Sequence, residues 1–420
     1  MGKGFVSLQG IGCIALFEGD CILNILWLTL EPLWPVDTAG KIGVYKRLEN
    51  VCKKHSVYLF YFTDSESSTE KELNTICKSV KGFPRVKSKI QLLKNYLHLP
   101  YTVSTRVSDE LIDEIDRCII ENHIDIINID FPQMCYSLLK CKNLTNVKIV
   151  LNQHNIEWQR FEEISKSESI SLIRKLISRL ESRRLKKYEE LVYKKINFDG
   201  MTFVTQDDID IFKQWITVHP YQLQLVPGGA EVQFMSKINK TSHKIIFVGV
   251  MSNELNPEGA LWFINKVWPK IKKVVPDVHF YIVGKDPIEK LKSISEPDIH
   301  VTGYVEDLKK YYEMADFVVI PVQHGGGVKL KLLEAVGYGK LVVSTSVGAR
   351  GTLFQNCVDI IIEDNPEFFA DYCIDILNNY ENYRMLEENA KKLFQDEYTW
   401  EGISARYMKF LETIASRCCE

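Results

Sequence analysis

The chain has 420 residues, 45% of them apolar and 25% charged, with a net charge of −3 at pH 7. That length points to two or three domains of about 150 residues each, the composition is that of ordinary globular cores, and the charge gives no reason to expect a nucleic acid partner. The 11 cysteines form no CxxC pair, so neither a metal site nor a disulfide scaffold is indicated, and reduced thiols in a cytosol are expected.

Residues 1–21 join Lys3 to a short apolar run, Ile11–Phe17, that Glu18 and Asp20 interrupt. They read as a non-conforming leader, with the folded chain beginning near Cys21. No stretch approaches the ~20 apolar residues of a membrane span. Ile22–Thr29 is an almost wholly apolar strand of the buried parallel kind. The loop EPLWPVDTAGK then opens a helix at Ile42–His55 with Val44, Leu48 and Val51 on one face, followed by the strand Val57–Phe62. Gly40, at the helix start, suits a turn glycine. Asp125–Ile129 and Val147–Asn152 read as strands, and His154 lies just past the second, where open α/β sheets place ligands. Asn155 is a good N-cap, so Gln153 or Glu157 equally suits a helix start.

Residues 172–195 are the most basic stretch, with nine Lys/Arg against three Glu, an excess of six. Leu172, Leu176, Leu180 and Leu191 keep a helical stripe, which predicts a helix packed on its leucine face with the charges solvated. The alternative is a surface that attracts anionic lipid or a phosphorylated acceptor. GMTFVTQDD reads as a strand ending in Thr205 before Asp207 and Asp208. In the second half, Lys244–Val248 is a strand feeding a glycine loop and a helix, and His279–Val283 and Ile299–Val301 are further strands.

Residues 315–351 read as strand, glycine loop, helix, glycine stop, strand. Phe317–Pro321 and Leu341–Ser346 are short β-branched runs. Gly325, Gly326 and Gly327 lead into a helical pattern at Val328–Val336 that Gly337 and Gly339 end. Glycines let backbone N–H groups approach a ligand, and a helix N-terminus attracts anions. Lys331 adds a charge for a phosphate, and Glu334, on the same face, suits a pair of sugar hydroxyls. The same residues also fit a flexible turn followed by an exposed helical ion pair.

The glycine-rich loop followed by Lys, Glu-Ala, a small-residue break and a strand ending in Ser-Thr resembles the donor-binding segment of glycosyltransferase family 4. This is a group of retaining sugar transferases with the B-type fold. The usual first acidic residue of that motif is Gly326 here, as in the glycine-triplet branch. The resemblance implies an α/β chain of two facing Rossmann-like domains with a C-terminal helix crossing back. The expected divisions are a leader at 1–21, an acceptor domain at 22–224, a donor domain at 225–396 and the returning helix at 397–420. It implies Gly325, Gly326 and Gly327 at the diphosphate, Lys331 as charge partner, Glu334 on the ribose, Gly249 near the phosphates, and Gly303 with Tyr304 at the base. Gly40, His154 and Glu157, with Arg160, would line the acceptor cleft, and His154, Lys331 and Glu334 would act in catalysis. Val226-Pro-Gly-Gly-Ala-Glu231 resembles the inter-domain Pro-Asn-Gly-x-Asp segment, with Gly228 and Glu231 as departures. The loop Val250–Glu258 lacks the Arg/Lys pair of wider relatives, which gives more of the phosphate task to Lys331.

The expected activity is metal-independent transfer of a hexose-type sugar from a UDP- or GDP-sugar to a glycan, lipid-linked or protein acceptor. No cofactor beyond that donor is expected, and the setting is surface or capsular glycan assembly. The expected location is cytoplasmic, with peripheral contact at the inner face of the membrane through 172–195. A non-catalytic nucleotide-sugar-binding subunit is the competing reading. A nucleotide-sugar 2-epimerase would need acid/base groups in the donor half, where of His243, His279, His300 and His324 only His324 sits by the loop, and an NAD enzyme would need a GxGxxG after either first strand, which is missing.

Overall fold

A computed structural model describes residues 22–36, 38–64, 69–166, 171–217, 222–234, 242–253, 255–325 and 327–416. The leader at 1–21 and Gly326 lie outside the described residues. The first sheet contains β1 (Asn24–Thr29), β2 (Ser56–Thr63), β3 (Ser79–Pro84), β4 (Ile126–Asp130), β5 (Lys148–Gln153), β6 (Gly200–Phe203) and β7 (Gln222–Leu225). Its order is β3-β2-β1-β4-β5-β6-β7. The second contains β8 (Lys244–Val248), β9 (His279–Val283), β10 (Ile299–Gly303), β11 (Phe317–Ile320), β12 (Leu341–Ser344) and β13 (Ile361–Ile362). Its order is β10-β9-β8-β11-β12-β13, and the pairs in both sheets are parallel. Helical crossovers cover both faces, which is why the strands are apolar throughout rather than alternating. The strand order reverses at β1/β4 and at β8/β11, the crevices where such sheets bind ligands.

Side chains of β1 show how the first sheet divides its burial. Leu26 and Leu28 enter one core, while Ile25 and Trp27 enter the other, as a period of two requires. The second of these cores is completed by the end of the chain: Trp400, Tyr407, Phe410 and Ile414 of the helix Trp400–Ser416 pack with Ile25 and Trp27. Gly200 permits this docking, because a Cβ there would fall 2.4 Å from Ile414 Cδ1 and 2.6 Å from Phe410 Cζ. Tyr407 donates its hydroxyl proton towards Asn128 Oδ1 (2.6 Å) and Asn152 Oδ1 (3.1 Å), both in buried strand positions. The chain between the two sheets meets this helix closely, since a Cβ on Gly229 would lie 2.8 Å from Ile403 Cδ1 and 2.9 Å from Trp400 Cε3.

Element limits move by a few residues from the sequence reading. The first helix spans Ala39–Cys52, so Gly40 sits in its first turn rather than in the preceding loop. The basic helix occupies Leu172–Lys195, but it is turned the other way round. Leu172, Leu176, Leu180 and Leu191 are exposed, so the predicted packed leucine face is corrected. The buried face carries Ser178, Ser182, Leu185, Tyr188 and Val192. Small serines let the helix Glu157–Lys166 approach, and Ser182 Oγ donates to the Trp158 carbonyl at 2.7 Å.

Candidate active site

At the switch point of the first sheet, β4 ends in Asp130, which is fully buried. Its carboxylate accepts hydrogen bonds from Trp27 Nε1 at 2.5 Å and Arg47 Nη2 at 3.1 Å, and lies 2.8 Å from His154 Nε2. Burial alone would raise the pKa of this acid, but Arg47, His154 and Trp27 together hold it below the ordinary value. The next residue, Phe131, has φ of 74° and stacks on the His154 ring, with centroids 4.1 Å apart. A non-glycine residue in that region costs about 1–3 kcal/mol. The surrounding packing therefore fixes the imidazole from below and from its edge. Asp130, Arg47 and Trp27 were not singled out from the sequence. The one available signal is an acid closing the strand IINID, whose other residues apart from Asn128 are isoleucines.

On the facing domain, Gly325 (φ 108°) and Gly327 (φ 69°) carry the chain from β11 into the helix Leu330–Gly337. Lys329, another residue not singled out, donates from Nζ to the carbonyls of Gly325 (3.0 Å) and Gly327 (2.9 Å) and so ties the loop into one shape. Lys331 reaches Asn256 Oδ1, and its Nζ lies 5.3 Å from the Phe247 ring centroid. Asn256 in turn donates to the Val250 carbonyl at 2.7 Å, coupling the Val250–Glu258 loop to Lys331. Burial, with Lys329 nearby, pulls the Lys331 ammonium down to about 8 against the attraction of Glu334. Burial likewise lowers Lys329 to about 8 and lifts Glu334 to about 7. Burial thus sets these three groups apart from an exposed surface pair.

The two sides meet across the cleft. A Cβ on Gly327 would stand 3.2 Å from Asn155 Oδ1, next to His154. Arg350, from the C-terminal domain, reaches Glu163 at 3.6 Å and Asp207 at 3.8 Å in the N-terminal domain. The cavity between them is lined by Asn155, Arg160, Glu163, Thr205, Gly327 and Arg350. Glu157 begins its helix and is buried, with Arg160 at 3.1 Å from its carboxylate, so Arg160 rather than Glu157 presents to that cavity. Gly40 has open space about it. Gly249 follows β8, where a Cβ would lie 2.8 Å from Asn256 Nδ2. Gly303 (φ 69°) and the exposed Tyr304 end β10, at the sheet edge three strands from β11.

Residues 242–379 match the family described as glycosyl transferases group 1. The C-terminal domain is a group 1 glycosyltransferase domain. The group 1 domain includes the glycine loop, Lys329, Lys331 and Glu334. Over 395 residues the chain is 26% identical to an uncharacterised 44.6 kDa protein in the cps region of Klebsiella pneumoniae, covering 89% of this chain and 96% of that one. An uncharacterised glycosyltransferase of Methanocaldococcus jannaschii is 24% identical over 231 residues, 52% of this chain and 56% of that one. Among solved structures, sucrose-phosphate synthase from Thermosynechococcus elongatus superposes with a TM-score of 0.64 at 14% identity, over 94% of this chain and 100% of that one. HepE of Anabaena in complex with UDP and glucose gives 0.61 at 11% identity, over 93% of this chain and 99% of that one. Around the group 1 domain, the whole chain has the B-type glycosyltransferase fold. Among the described residues no helix is long and apolar enough to cross a membrane.

Proposed function

We propose that the protein transfers a hexose-type sugar, with retention, from a nucleoside diphosphate sugar to an acceptor hydroxyl during assembly of a surface or capsular glycan. The observation that carries this reading is the opposition of two built half-sites. A lysine-tied glycine loop with Lys331 and Glu334 faces the Asp130–His154 pair across the cleft. The likeness to a cps-region protein supports the biosynthetic setting, and the fold shared with HepE, crystallised with UDP, makes uridine donors the first to try before GDP-sugars.

In this reading the diphosphate lies over Gly325–Gly327 at the helix N-terminus. Lys331 and the loop N–H groups stabilise the charge that develops as the anomeric carbon–oxygen bond breaks. Glu334 accepts from the ribose hydroxyls, Gly249 lies near the phosphates, and Gly303 and Tyr304 meet the base. His154, fixed by Asp130 and Phe131, stands beside the transferred sugar. The acceptor oxygen bonds to the anomeric carbon, and its proton leaves with the nucleoside diphosphate. The lysines and helix dipole supply the positive charge, so the reaction is read as metal-independent and without a further cofactor. The N-terminal domain, with Gly40 and Arg160, receives the acceptor. The protein is placed in the cytoplasm, with peripheral membrane contact through 172–195 when that acceptor is lipid-linked.

Incubating the purified chain with radiolabelled UDP- and GDP-sugars tests the reading. Transfer or slow donor hydrolysis that Glu334→Ala abolishes supports it. Donor binding without turnover, with or without acceptor extract, would instead favour a non-catalytic nucleotide-sugar-binding subunit.

A further inference from the structure

We infer that two helices of the N-terminal domain form one lipid-docking face that inserts apolar side chains into an anionic bilayer. This rests on the peripheral membrane contact in the reading above and names the surface that makes it. The first half of Leu172–Lys195 exposes Leu172, Ile173, Leu176, Ile177 and Leu180, each between 50% and 82%. At about 100° per residue these fall on the side opposite Ser178, Glu181, Ser182 and Leu185, which bury against the domain. The helix Lys89–His98 has no buried residue and exposes Ile90, Leu93 and Leu97, at 63% to 72%, spaced as one face. The two helices are fastened together. Arg184 Nη2 donates to the Leu99 carbonyl at 2.6 Å and its guanidinium stacks on Tyr96, while Glu181 accepts from Thr102 N at 3.3 Å.

Eight large apolar side chains in water are an unfavourable surface unless something covers them. The charge around them identifies the cover. Lys87, Lys89, Lys94, Arg174, Arg179 and Arg183 are exposed in the same two stretches, and the one acid among residues 87–101 and 171–187, Glu181, is buried. A purely protein partner would be met by apolar contact and mixed charge. Outward leucines framed by cations and no exposed acid match an interface of acyl chains and anionic headgroups. Arg184 and Glu181 tie the basic helix to residues 96–102, so the face is a fixed part of the N-terminal domain and needs no spanning segment.

Flotation with vesicles of equal parts phosphatidylcholine and phosphatidylglycerol, against pure phosphatidylcholine vesicles, tests the inference with the full chain. Wild type is expected to float with the anionic vesicles only. The triple variants Ile90→Ser/Leu93→Ser/Leu97→Ser and Ile173→Ser/Leu176→Ser/Ile177→Ser should each lose at least about tenfold in partitioning. Arg174→Gln, Arg179→Gln or Arg183→Gln should each cost about fivefold. All of these positions are exposed, so unchanged melting temperatures are the check on folding. Absence of vesicle binding, or equal binding by wild type and both triple variants, overturns the inference. So does a self-associated wild type made monomeric by either triple variant, since a second copy would then be the cover. UDP-induced thermal stabilisation, read on the same samples, reports the donor site separately: its persistence when flotation fails rejects only this surface.

Discussion

His154 Nε2 stands 2.8 Å from Asp130 Oδ1, and the same oxygen accepts from Arg47 Nη2 at 3.1 Å. One buried carboxylate therefore orients an imidazole at the cleft and neutralises a guanidinium that is itself almost fully buried. Asp130→Asn leaves the Arg47 charge without its partner, a change worth about 3–5 kcal/mol of stability. His154→Gln leaves that pair intact. We expect it to lower sugar transfer by about a hundredfold or more, the scale of losing one positioned polar group. The dissociation constant for UDP should stay nearly unchanged, because the donor loop is on the other domain. Isothermal titration with UDP beside a transfer assay separates the two quantities, and unaltered transfer in a folded His154→Gln would remove the histidine from the reaction.

Donor binding should have a narrow pH window. Lys331 and Lys329 are held near 8 by burial, and an anion binds the charged form, so affinity for a diphosphate falls as pH rises through about 8. Glu334 is lifted to about 7 and accepts hydroxyl protons only when ionised, so affinity also falls as pH drops below about 7. At a hundred times its dissociation constant UDP should add about 2.7 kcal/mol of stability at the optimum. Titrations with UDP from mildly acid to mildly alkaline buffer should give a bell, and Glu334→Ala should remove its acid limb. A flat profile would place the diphosphate elsewhere.

Gly327 joins the two domains by lacking a side chain. Alanine at φ 69° is strained by about 1 kcal/mol, and its methyl would press on Asn155 Oδ1 from 3.2 Å. Gly327→Ala should weaken UDP binding modestly and slow transfer more, because closure over the donor is impeded. Adding Asn155→Ala should restore part of the transfer rate but not the donor affinity. Equal losses in the single and double variants would mean that the backbone strain alone acts.

Glu189 is an internal acid with a testable cost. It accepts from Trp158 N at 3.1 Å and from the Tyr193 hydroxyl at 2.9 Å, and burial, less those hydrogen bonds but aided by nearby Glu157, raises it to about 8. The folded chain thus holds this proton more tightly than the unfolded one. Its contribution is fully present below the ordinary carboxylate range and is lost as pH rises to about 8, at most about 1.4 kcal/mol per pH unit. Glu189→Gln should therefore gain on wild type steadily from pH about 5 to about 8 in chemical denaturation. A difference that does not change with pH would show that Glu189 is ionised throughout.

Much of this architecture is legible in the chain because chemistry and periodicity coincide. Between residues 315 and 351 the pattern shifts from β-branched strand to helical spacing and back, with glycines at both changes, and β11, the helix and β12 follow it within two residues. The limits of Leu172–Lys195 were equally plain, but its orientation was not. A helical stripe of leucines says that one side is apolar, while burial was decided by Ser178 and Ser182, which let a neighbouring helix come close. The Arg47–Asp130 contact joins residues 83 apart, one on the helix Ala39–Cys52 and the other at the end of β4, and no local spacing announces it. Lys329 is hidden in the chain for a different reason. Its task is to bind the carbonyls of its own loop, and a lysine in a glycine-rich stretch looks like one more solvent-facing charge.

The return of the helix Trp400–Ser416 to the first sheet sets an order of events during synthesis. Tyr407 reaches back 279 residues to Asn128 and 255 to Asn152, and Phe410 and Ile414 fill the space that Gly200 leaves. A ribosome adding about 5–20 residues per second releases that helix many seconds after β1–β7 have emerged. Throughout that interval Ile25 and Trp27 lack the wall that closes their core. The half of the molecule translated first is thus the last to be sealed. A chain interrupted before Trp400 would leave the ribosome with its C-terminal domain able to pack and its N-terminal domain open to chaperones and proteases.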